Sequence, residues 1–376
     1  MFAPHINRSR LVETFTELVR INAPSFGERE IGAALARMLE GAGCSVRFQE
    51  YGQSFNLIAL KKGERPNTPP LLLSAHMDTI EPTAGISFTV DSDAVRTTGP
   101  TVLGADDKSA LAQIVEAVTA LDERAIPHGD IEIVFTSAEE RGLVGAKRLD
   151  FGRLASRHAL VLDSSGGIGK LITAAPTQYT YEMRVTGRAA HAGIEPERGL
   201  NALRVAAEII AAVPDGRIDA GTTANIGVVR GGTATNVVPH EAVIKGEFRS
   251  HSDARIETIR RDIFDTARRI AAQRGALVAI TEQEEYRAFR IDERDAFFSF
   301  MHGVLASCGI TPVAARTGGG SDANVFNRHG ITALNISNGM QNVHSTEEFI
   351  TIDDLFNGCL VVLTAIVSFG DHFKRA

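Results

Sequence analysis

The sequence has little of several features that often decide how a protein is interpreted. It contains no tryptophan and only three cysteines, Cys44, Cys308 and Cys359. These cysteines lack the paired C-x-x-C spacing of a sulfur-based metal site. An odd number of cysteines suits reduced thiols in the cytoplasm better than a disulfide framework. We therefore expect a cytoplasmic protein without structural disulfides.

Long apolar segments and clusters of positive charge are also missing. The longest apolar run, Leu360 to Val367, is much shorter than the ~20 residues that span a bilayer. The first ten residues lack the apolar core of a secretory signal. The 46 acidic residues outnumber the 39 basic ones, giving a net charge of -7, which argues against a nucleic-acid-binding surface. We expect a soluble protein that binds neither membranes nor nucleic acids.

The most informative motif is His76-Met77-Asp78, which follows the apolar run 71–73 directly. Residues i and i+2 of a strand point the same way, so this imidazole and carboxylate should emerge together at the end of a buried strand. The arrangement suits a metal-binding imidazole whose second ring nitrogen is held by a carboxylate. Alone, such a pair is more often a surface contact, so its meaning depends on the residues that accompany it.

Other polar residues also follow apolar segments. Asp106 precedes a predicted amphipathic helix, Glu139 and Glu140 follow the run 131–135, Asp163 follows 159–162, and His344 comes much later. Strands that alternate with helices predict a mostly parallel sheet, and ligands of such sheets gather at the carboxyl ends of the strands. These residues are therefore expected to converge on one crevice.

The pattern of helices and strands predicts two domains, which a chain of 376 residues is long enough to form. Ser25 and Glu28 match a capping box before a helix, and a doubly wound α/β core extends to about residue 163. Residues 178–287 instead follow the order βαββαβ, which is ferredoxin-like. If His344 joins His76 in one site, the catalytic domain is discontinuous, comprising residues 1–177 and 288–376, with 178–287 inserted.

Two imidazoles and several carboxylates without a thiolate form a ligand set suited to zinc, and also to cobalt or manganese. Five protein ligands are too many for one tetrahedral zinc with an open position, but they suit two metals about 3.5–4 Å apart that share a carboxylate. Asp106, where a strand gives way to a helix, is the natural bridge, and an N-cap is its alternative role. Of Glu139 and Glu140, one could bind metal while the other faces the bound water.

Five ordered motifs resemble those of the di-zinc exopeptidase and deacylase family that includes peptidase T, acetylornithine deacetylase, succinyl-diaminopimelate desuccinylase and carboxypeptidase G. They span nearly the whole chain: Ser74–Thr79, Gly104–Lys108, Ser137–Glu140, Leu162–Asp163 and His344–Ser345. The first two motifs are most similar to those of peptidase T and shorter peptidase T-like proteins. The resemblance implies a zinc-exopeptidase-like catalytic domain with an inserted lid and dimerisation domain.

Position by position, the resemblance implies the ligands of two zinc ions. His76, Asp106 and Asp163 would hold one ion, and Asp106, Glu140 and His344 the other. Asp78 would orient His76. Glu139 would be the general base that takes a proton from the attacking water and passes it to the leaving amine. The resemblance also implies a cis peptide bond between Asp106 and Asp107.

In the inserted domain, the resemblance points to three substrate-binding residues. His191 matches a histidine that stabilises the oxyanion in a neighbouring active site, and Asn236 and Arg249 match positions that hold a substrate carboxylate. This implies a homodimer formed through the inserted domain. The glycine-rich segment 318–320 resembles an active-site loop, and a turn capping a helix at Asp322 is its alternative.

The leading functional hypothesis is a zinc-dependent aminopeptidase of the tripeptidase type acting on short peptides. An N-acyl amino acid deacylase would use the same chemistry on a different amide. A non-catalytic peptide-binding protein on the same fold is the third hypothesis, but it predicts that a ligand or the base is missing. All of these positions are filled in the sequence.

Overall fold

The computed structural model describes residues 2–374. In chain order its α-helices are α1 (Arg8–Arg20), α2 (Arg29–Gly41), α3 (Ala105–Glu123), α4 (Val144–Lys147), α5 (Ala202–Ala212), α6 (Asp253–Arg274), α7 (Ala296–Ser307), α8 (Asp322–Arg328) and α9 (Ile352–His372). Its strands are β1 (Ser45–Tyr51), β2 (Ser54–Lys61), β3 (Leu71–His76), β4 (Phe88–Val90), β5 (Ala94–Thr97), β6 (Ile131–Thr136), β7 (His158–Ser164), β8 (Lys170–Ala175), β9 (Thr177–Thr186), β10 (Gly216–Asp219), β11 (Thr222–Gly231), β12 (Glu241–Ser250), β13 (Leu277–Tyr286), β14 (Phe289–Arg290), β15 (Val313–Arg316), β16 (Thr332–Ser337), β17 (Met340–Gln341) and β18 (Phe349–Thr351).

The chain divides into two compact units. Unit 1 comprises the described residues up to Thr173, then Arg290–Arg316, and the described residues from Ser321 onward. Unit 2 comprises Ala174–Phe289 together with Thr317–Gly320. The boundaries at residues 178 and 287 remain a prediction of where an independently folding insertion begins and ends.

The sheet of unit 1 has the order β1-β2-β6-β3-β7-β16-β8-β14, with β15 beside β8. Its central strands β6, β3, β7 and β16 run parallel, whereas β2 and β8 are antiparallel to their neighbours. Every residue of β3 and β6 is buried, as expected for a sheet covered on both faces. A small second sheet has the order β17-β18-β5-β4. This mixed α/β architecture confirms the predicted fold class of the catalytic part.

Helix α3 is buried on almost every side, including the side chains of Lys108, Gln113 and Glu116. The prediction that it is amphipathic was wrong, because it contacts α1, α2 and α9 as well as strands of the sheet. Helix α9 is long and apolar enough, by length and composition alone, to cross a membrane. It is mostly buried against α1, α3 and α7, so packing within unit 1 explains its composition.

Unit 2 is an antiparallel sheet with the order β10-β11-β12-β9-β13. Helices α5 and α6 pack on it, and apolar residues such as Val185, Ile209, Ile244, Phe248 and Ile263 form its own core. The order β9-α5-β11-β12-α6-β13 confirms the predicted ferredoxin-like arrangement. The short strand β10 pairs with β11 and was missed, because four largely exposed residues show no periodic burial pattern.

Candidate metal centre

Parallel strands bring most of the candidate ligands to one edge of the unit 1 sheet. His76 is the last residue of β3, opposite Thr136 at the end of β6, and Asp163 is the next-to-last residue of β7. Glu139 and Glu140 follow β6 after two intervening residues. The carboxyl ends of parallel strands meet at one edge of a sheet, so these side chains converge without sequence proximity.

Asp106 reaches this edge differently from the prediction. The nearest preceding strand, β5, belongs to the small sheet. The loop after β5 leads to Asp106, and both Asp106 and Asp107 keep non-helical backbone angles at the start of α3. The peptide bond between these two residues is cis, as the resemblance implied.

The two oxygens of Asp106 face two different imidazoles. Its Oδ1 lies 3.0 Å from His76 Nε2, and its Oδ2 lies 3.2 Å from His344 Nε2. His344 Nε2 is also 3.0 Å from Glu140 Oε1, and His76 Nε2 is 3.9 Å from Asp163 Oδ1. A carboxylate with one oxygen toward each of two ligand sets has the geometry of a bridge between two ions.

The second nitrogen of His76 determines which tautomer is present. Its Nδ1 lies 2.7 Å from the main-chain oxygen of Asp78, and a carbonyl oxygen can only accept a hydrogen bond. Nδ1 therefore carries a proton, which leaves the lone pair of Nε2 free in the neutral ring. That nitrogen points at Asp106 and is the one available to a metal.

The carboxylate of Asp78 has a role beyond the orientation of His76 that the resemblance implied. Its Oδ1 is 3.6 Å from His76 Nδ1, which is too long for a hydrogen bond. Instead the carboxylate accepts hydrogen bonds from Glu139 N at 2.9 Å, Glu140 N at 3.2 Å and Ser25 Oγ at 2.7 Å. Asp78 therefore holds the turn that carries the Glu pair, and the main chain of Asp78 orients His76.

The predicted capping box of Ser25 and Glu28 was wrong. Neither side chain caps α2, because Ser25 binds Asp78 and the buried Glu28 accepts hydrogen bonds from Ala138 N at 2.9 Å and Ser54 Oγ at 3.1 Å. Ala138 has a left-handed backbone with φ of 50°, directly before Glu139. Ser25 and Glu28 support the Glu139 turn. The predicted helix does follow them, as α2 from Arg29, but without a side-chain cap.

Asp107 and Asn338 also contribute to the site, although no role was predicted for them from the sequence. Asp107 is fully buried, and its two oxygens accept hydrogen bonds from His76 N at 3.2 Å and Asn338 Nδ2 at 2.8 Å. Asn338 Nδ2 also donates to Leu162 O, one residue before Asp163. The adjacent aspartates of the Gly104–Lys108 motif were the only signal in the sequence for this connection.

The electrostatics of the cluster suit divalent cations. Burial, together with the nearby carboxylate of Asp163, raises the pKa of Glu139 well above its usual range. Burial and the nearby carboxylate of Asp106 likewise raise the pKa of Asp163 well above its usual range. Although burial opposes it, the hydrogen bonds from His344 and His76 hold the pKa of Asp106 far below normal. Buried carboxylates that repel one another and face imidazole nitrogens are a donor set that a bound dication stabilises.

Ligand atoms from two overlapping groups each lie within 4.8 Å of one another, namely His76, Asp106 and Glu140, and His76, Asp107 and Asp163. This spacing and the oxygen and nitrogen donors fit zinc, cobalt or manganese. The residues present therefore fit a metal centre, and Asp106 and His76 are central to it.

Asp322 is a further buried acid of unit 1. Thr136 at the end of β6 donates a hydrogen bond to its Oδ2, and its Oδ1 is buried without a partner among the described residues. Burial raises its pKa to about 6. Ser321, rather than Asp322, is the N-cap of α8 and forms a capping box with Asn324.

Within unit 2, main-chain hydrogen bonds join the segments that carry His191 and Asn236. Ala192 N donates to Asn236 O at 2.9 Å, and His191 pairs with Val237 in an isolated bridge. The side chains of His191 and Asn236 are exposed.

Arg249, also in unit 2, is held by the side chain of Glu247 and by the main-chain oxygen of Gly318. Its Nε and Nη2 bind the two oxygens of Glu247 at 2.9 and 3.0 Å, and its Nη1 donates to Gly318 O at 3.1 Å. Glu247 thus binds the Nε–Nη2 edge of the guanidinium in bidentate fashion.

Comparisons with known proteins agree with this geometry. Residues 177–274 match the model of the M20 peptidase dimerisation domain, and residues 56–164 match that of peptidase family M28. An uncharacterised Bacillus subtilis protein, YqjE, is 36% identical over 367 residues, which are 96% of this chain and 98% of that one. Peptidase T of Escherichia coli K12 is 27% identical over 72% of this chain and 66% of its own length.

Two solved structures are similar over almost the whole chain. The aminopeptidase PepT of Bacillus cereus is 35% identical with a TM-score of 0.88, and the comparison covers 97% of this chain and 99% of that one. A tripeptidase from Staphylococcus aureus is 32% identical with a TM-score of 0.92 and the same coverage.

Proposed function

Because the chain belongs to the M20 peptidase family and is similar to PepT and tripeptidase structures, we propose that it is a metal-dependent exopeptidase. Its substrates are short peptides, and its reaction is that of an aminopeptidase of the tripeptidase type. The observation that carries the proposal is Asp106, whose two oxygens face His76 and His344 at 3.0 and 3.2 Å.

Two divalent cations are proposed per chain, with zinc as the first choice and cobalt or manganese as substitutes. His76, Asp106 and Asp163 hold one cation, and Asp106, Glu140 and His344 hold the other. When bound, the cations supply Lewis acidity to the scissile carbonyl and to the attacking water. The distances from His76 to Asp106 and Asp163, and from His344 to Asp106 and Glu140, support this assignment.

Glu139 is the proposed general base. Asp78 holds its main-chain N–H at 2.9 Å, and burial raises its pKa, which brings the carboxylate closer to the range that suits proton transfer near neutral pH. In this proposal Glu139 takes a proton from the attacking water and later gives it to the leaving amine.

Unit 2 is proposed to supply the substrate-binding residues His191, Asn236 and Arg249. It is also proposed to join two chains in a homodimer, which its match to a dimerisation domain supports.

The protein is proposed to be cytoplasmic. Its three cysteines are free thiols, which is consistent with that location.

A turnover screen tests the proposal. The protein is loaded separately with zinc, cobalt and manganese and offered di-, tri- and tetrapeptides beside N-acetyl and N-succinyl amino acids. Release of the N-terminal residue from tripeptides, abolished by a chelator and restored by metal, is the expected result. Cleavage of acyl amino acids without peptides would make the protein a deacylase instead. Peptide binding without turnover under every metal would make it a binding protein.

A further inference from the structure

We propose that Glu348 is a positioning residue that joins the segment carrying His344 to the turn carrying Asp106, and so assembles the second metal half-site of Asp106, Glu140 and His344. The inference rests on the two-metal site of the proposed function. It adds a residue that neither the motifs nor the ligand geometry pointed to.

The side chain of Glu348 is buried and accepts hydrogen bonds from the main chain on both sides of Ala105. Gly104 N lies 2.8 Å from its Oε2, and Asp106 N lies 3.0 Å from its Oε1. One carboxylate thus fixes the main chain of the proposed bridging ligand. Gly104 has φ of 73°, a left-handed conformation that glycine adopts readily.

The main chain of Glu348 is fixed independently of its side chain. Its oxygen accepts a hydrogen bond from Thr97 N at 3.2 Å, and the next residue begins β18, which pairs with β5. The small sheet therefore anchors Glu348, and the carboxylate transmits this anchor to the Asp106 turn.

The segment from His344 to Glu348 is closed by its own hydrogen bonds. Ser345 Oγ donates to Asn342 O at 2.7 Å, Glu347 N donates to Ser345 Oγ at 3.2 Å, and Glu348 N donates to Ser345 O at 3.3 Å. His344 itself has φ of 63°. Since this turn is internally closed, a displacement of Glu348 should displace His344 with it.

Lys108 adds a second connection from the same turn. Its buried ammonium donates to Ile21 O at 2.8 Å, and Glu348 attracts it electrostatically. A buried carboxylate with two main-chain donors and a nearby cation is well suited to hold one geometry. Partners that orient metal ligands in this way commonly change metal affinity by about 10- to 100-fold when removed.

The test is Glu348→Gln, which keeps the size of the side chain but has one acceptor oxygen. Its amide group would face one of the two N–H donors, so either Gly104 or Asp106 must move. Because Asp106 is shared by both half-sites, we expect both affinities to fall. The second ion, whose ligand His344 lies in the same turn as Glu348, should be weakened more, by about 10- to 100-fold. Cobalt titrations followed by visible absorption, with equilibrium dialysis and elemental analysis, report the two affinities without any substrate.

Glu132→Gln is the matched control. Glu132 is also a buried glutamate that accepts main-chain hydrogen bonds, from Ala155 N at 3.0 Å and Ser156 N at 2.9 Å, but it lies near the start of β6, away from the ligands. The Glu132→Gln variant should bind both cobalt ions with wild-type affinity. If Glu348→Gln fails to fold, Ser345→Ala, which alters only the closure of the turn, should weaken the second ion in the same direction.

Wild-type affinity for both ions in Glu348→Gln would overturn the inference, as would equal weakening of both ions or the same loss in Glu132→Gln. Unaltered binding in Ser345→Ala, where that variant is needed, would also overturn it. These outcomes are separate from the turnover screen. A wild type that binds two ions without cleaving peptides would refute the proposed function while leaving the metal test intact.

Discussion

Replacing Asp78 with Asn tests the role that the structure gives to this carboxylate. Asp78 is completely buried and accepts three hydrogen bonds, two of them from the main-chain N–H groups of Glu139 and Glu140. Hydrogen bonds to a buried charged group contribute about 1.5–3 kcal/mol each. The asparagine offers one acceptor oxygen, so at least one N–H group loses its partner.

We therefore expect the free energy of unfolding of the metal-free protein to fall by about 3 kcal/mol in Asp78→Asn. The turn carrying the proposed base should also shift, and a displacement of about 1 Å can cost ~10²-fold in rate. Metal should be retained better than in His76→Ala, because the His76 ring is held by the main chain of Asp78 and not by its carboxylate.

Urea unfolding in a chelator measures the first effect, and kcat at saturating metal and peptide measures the second. Ser25→Ala is the graded control, since it removes the one side-chain donor to Asp78 and should lower stability by about 1–2 kcal/mol. A wild-type kcat in Asp78→Asn would refute the positioning role. Loss of metal equal to that of His76→Ala would show that the carboxylate acts through the imidazole after all.

Glu139→Ala should keep both metals by elemental analysis while kcat falls by ~10²-fold or more, and retained turnover would contradict the assigned base. Burial raises the pKa values of Glu139 and Asp163. In the folded protein these acids therefore keep protons that the unfolded chain releases above about pH 4. As a result, the metal-free fold loses stability as pH rises through their raised pKa values. Metal displaces those protons, so the gain in Tm on adding zinc should grow as pH rises above about 4, and a constant gain would argue against the cluster. Gly145→Ala should destabilise by about 1–3 kcal/mol in urea unfolding, because its Cβ would lie 2.4 Å from Ser137 O, and an unchanged midpoint would refute that packing. Sedimentation should show a dimer, and a fully active monomer would contradict the proposed assembly.

Elements that depend on patterns in consecutive residues were predicted correctly, whereas contacts between residues far apart in the sequence were not. The elements of unit 2 were predicted because their alternating or helical spacing of apolar residues is visible in consecutive residues, as in β12 and α6. The capping box at Ser25 and Glu28 failed for the opposite reason. The same residue types serve a helix start or a distant turn, and nothing nearby in the sequence distinguishes the two.

The sequence by itself determined that His76, the pair Glu139–Glu140 and Asp163 follow apolar strands, and parallel strands bring such residues to one edge of the sheet. Only the tertiary structure decided how these donors are held. Asp78 binds a turn 61 residues away, Glu28 binds Ala138 at a separation of 110, and Glu348 binds Gly104 at a separation of 244. A hydrogen bond between residues so far apart leaves no periodic or local signature, since each partner is positioned by a different strand or loop.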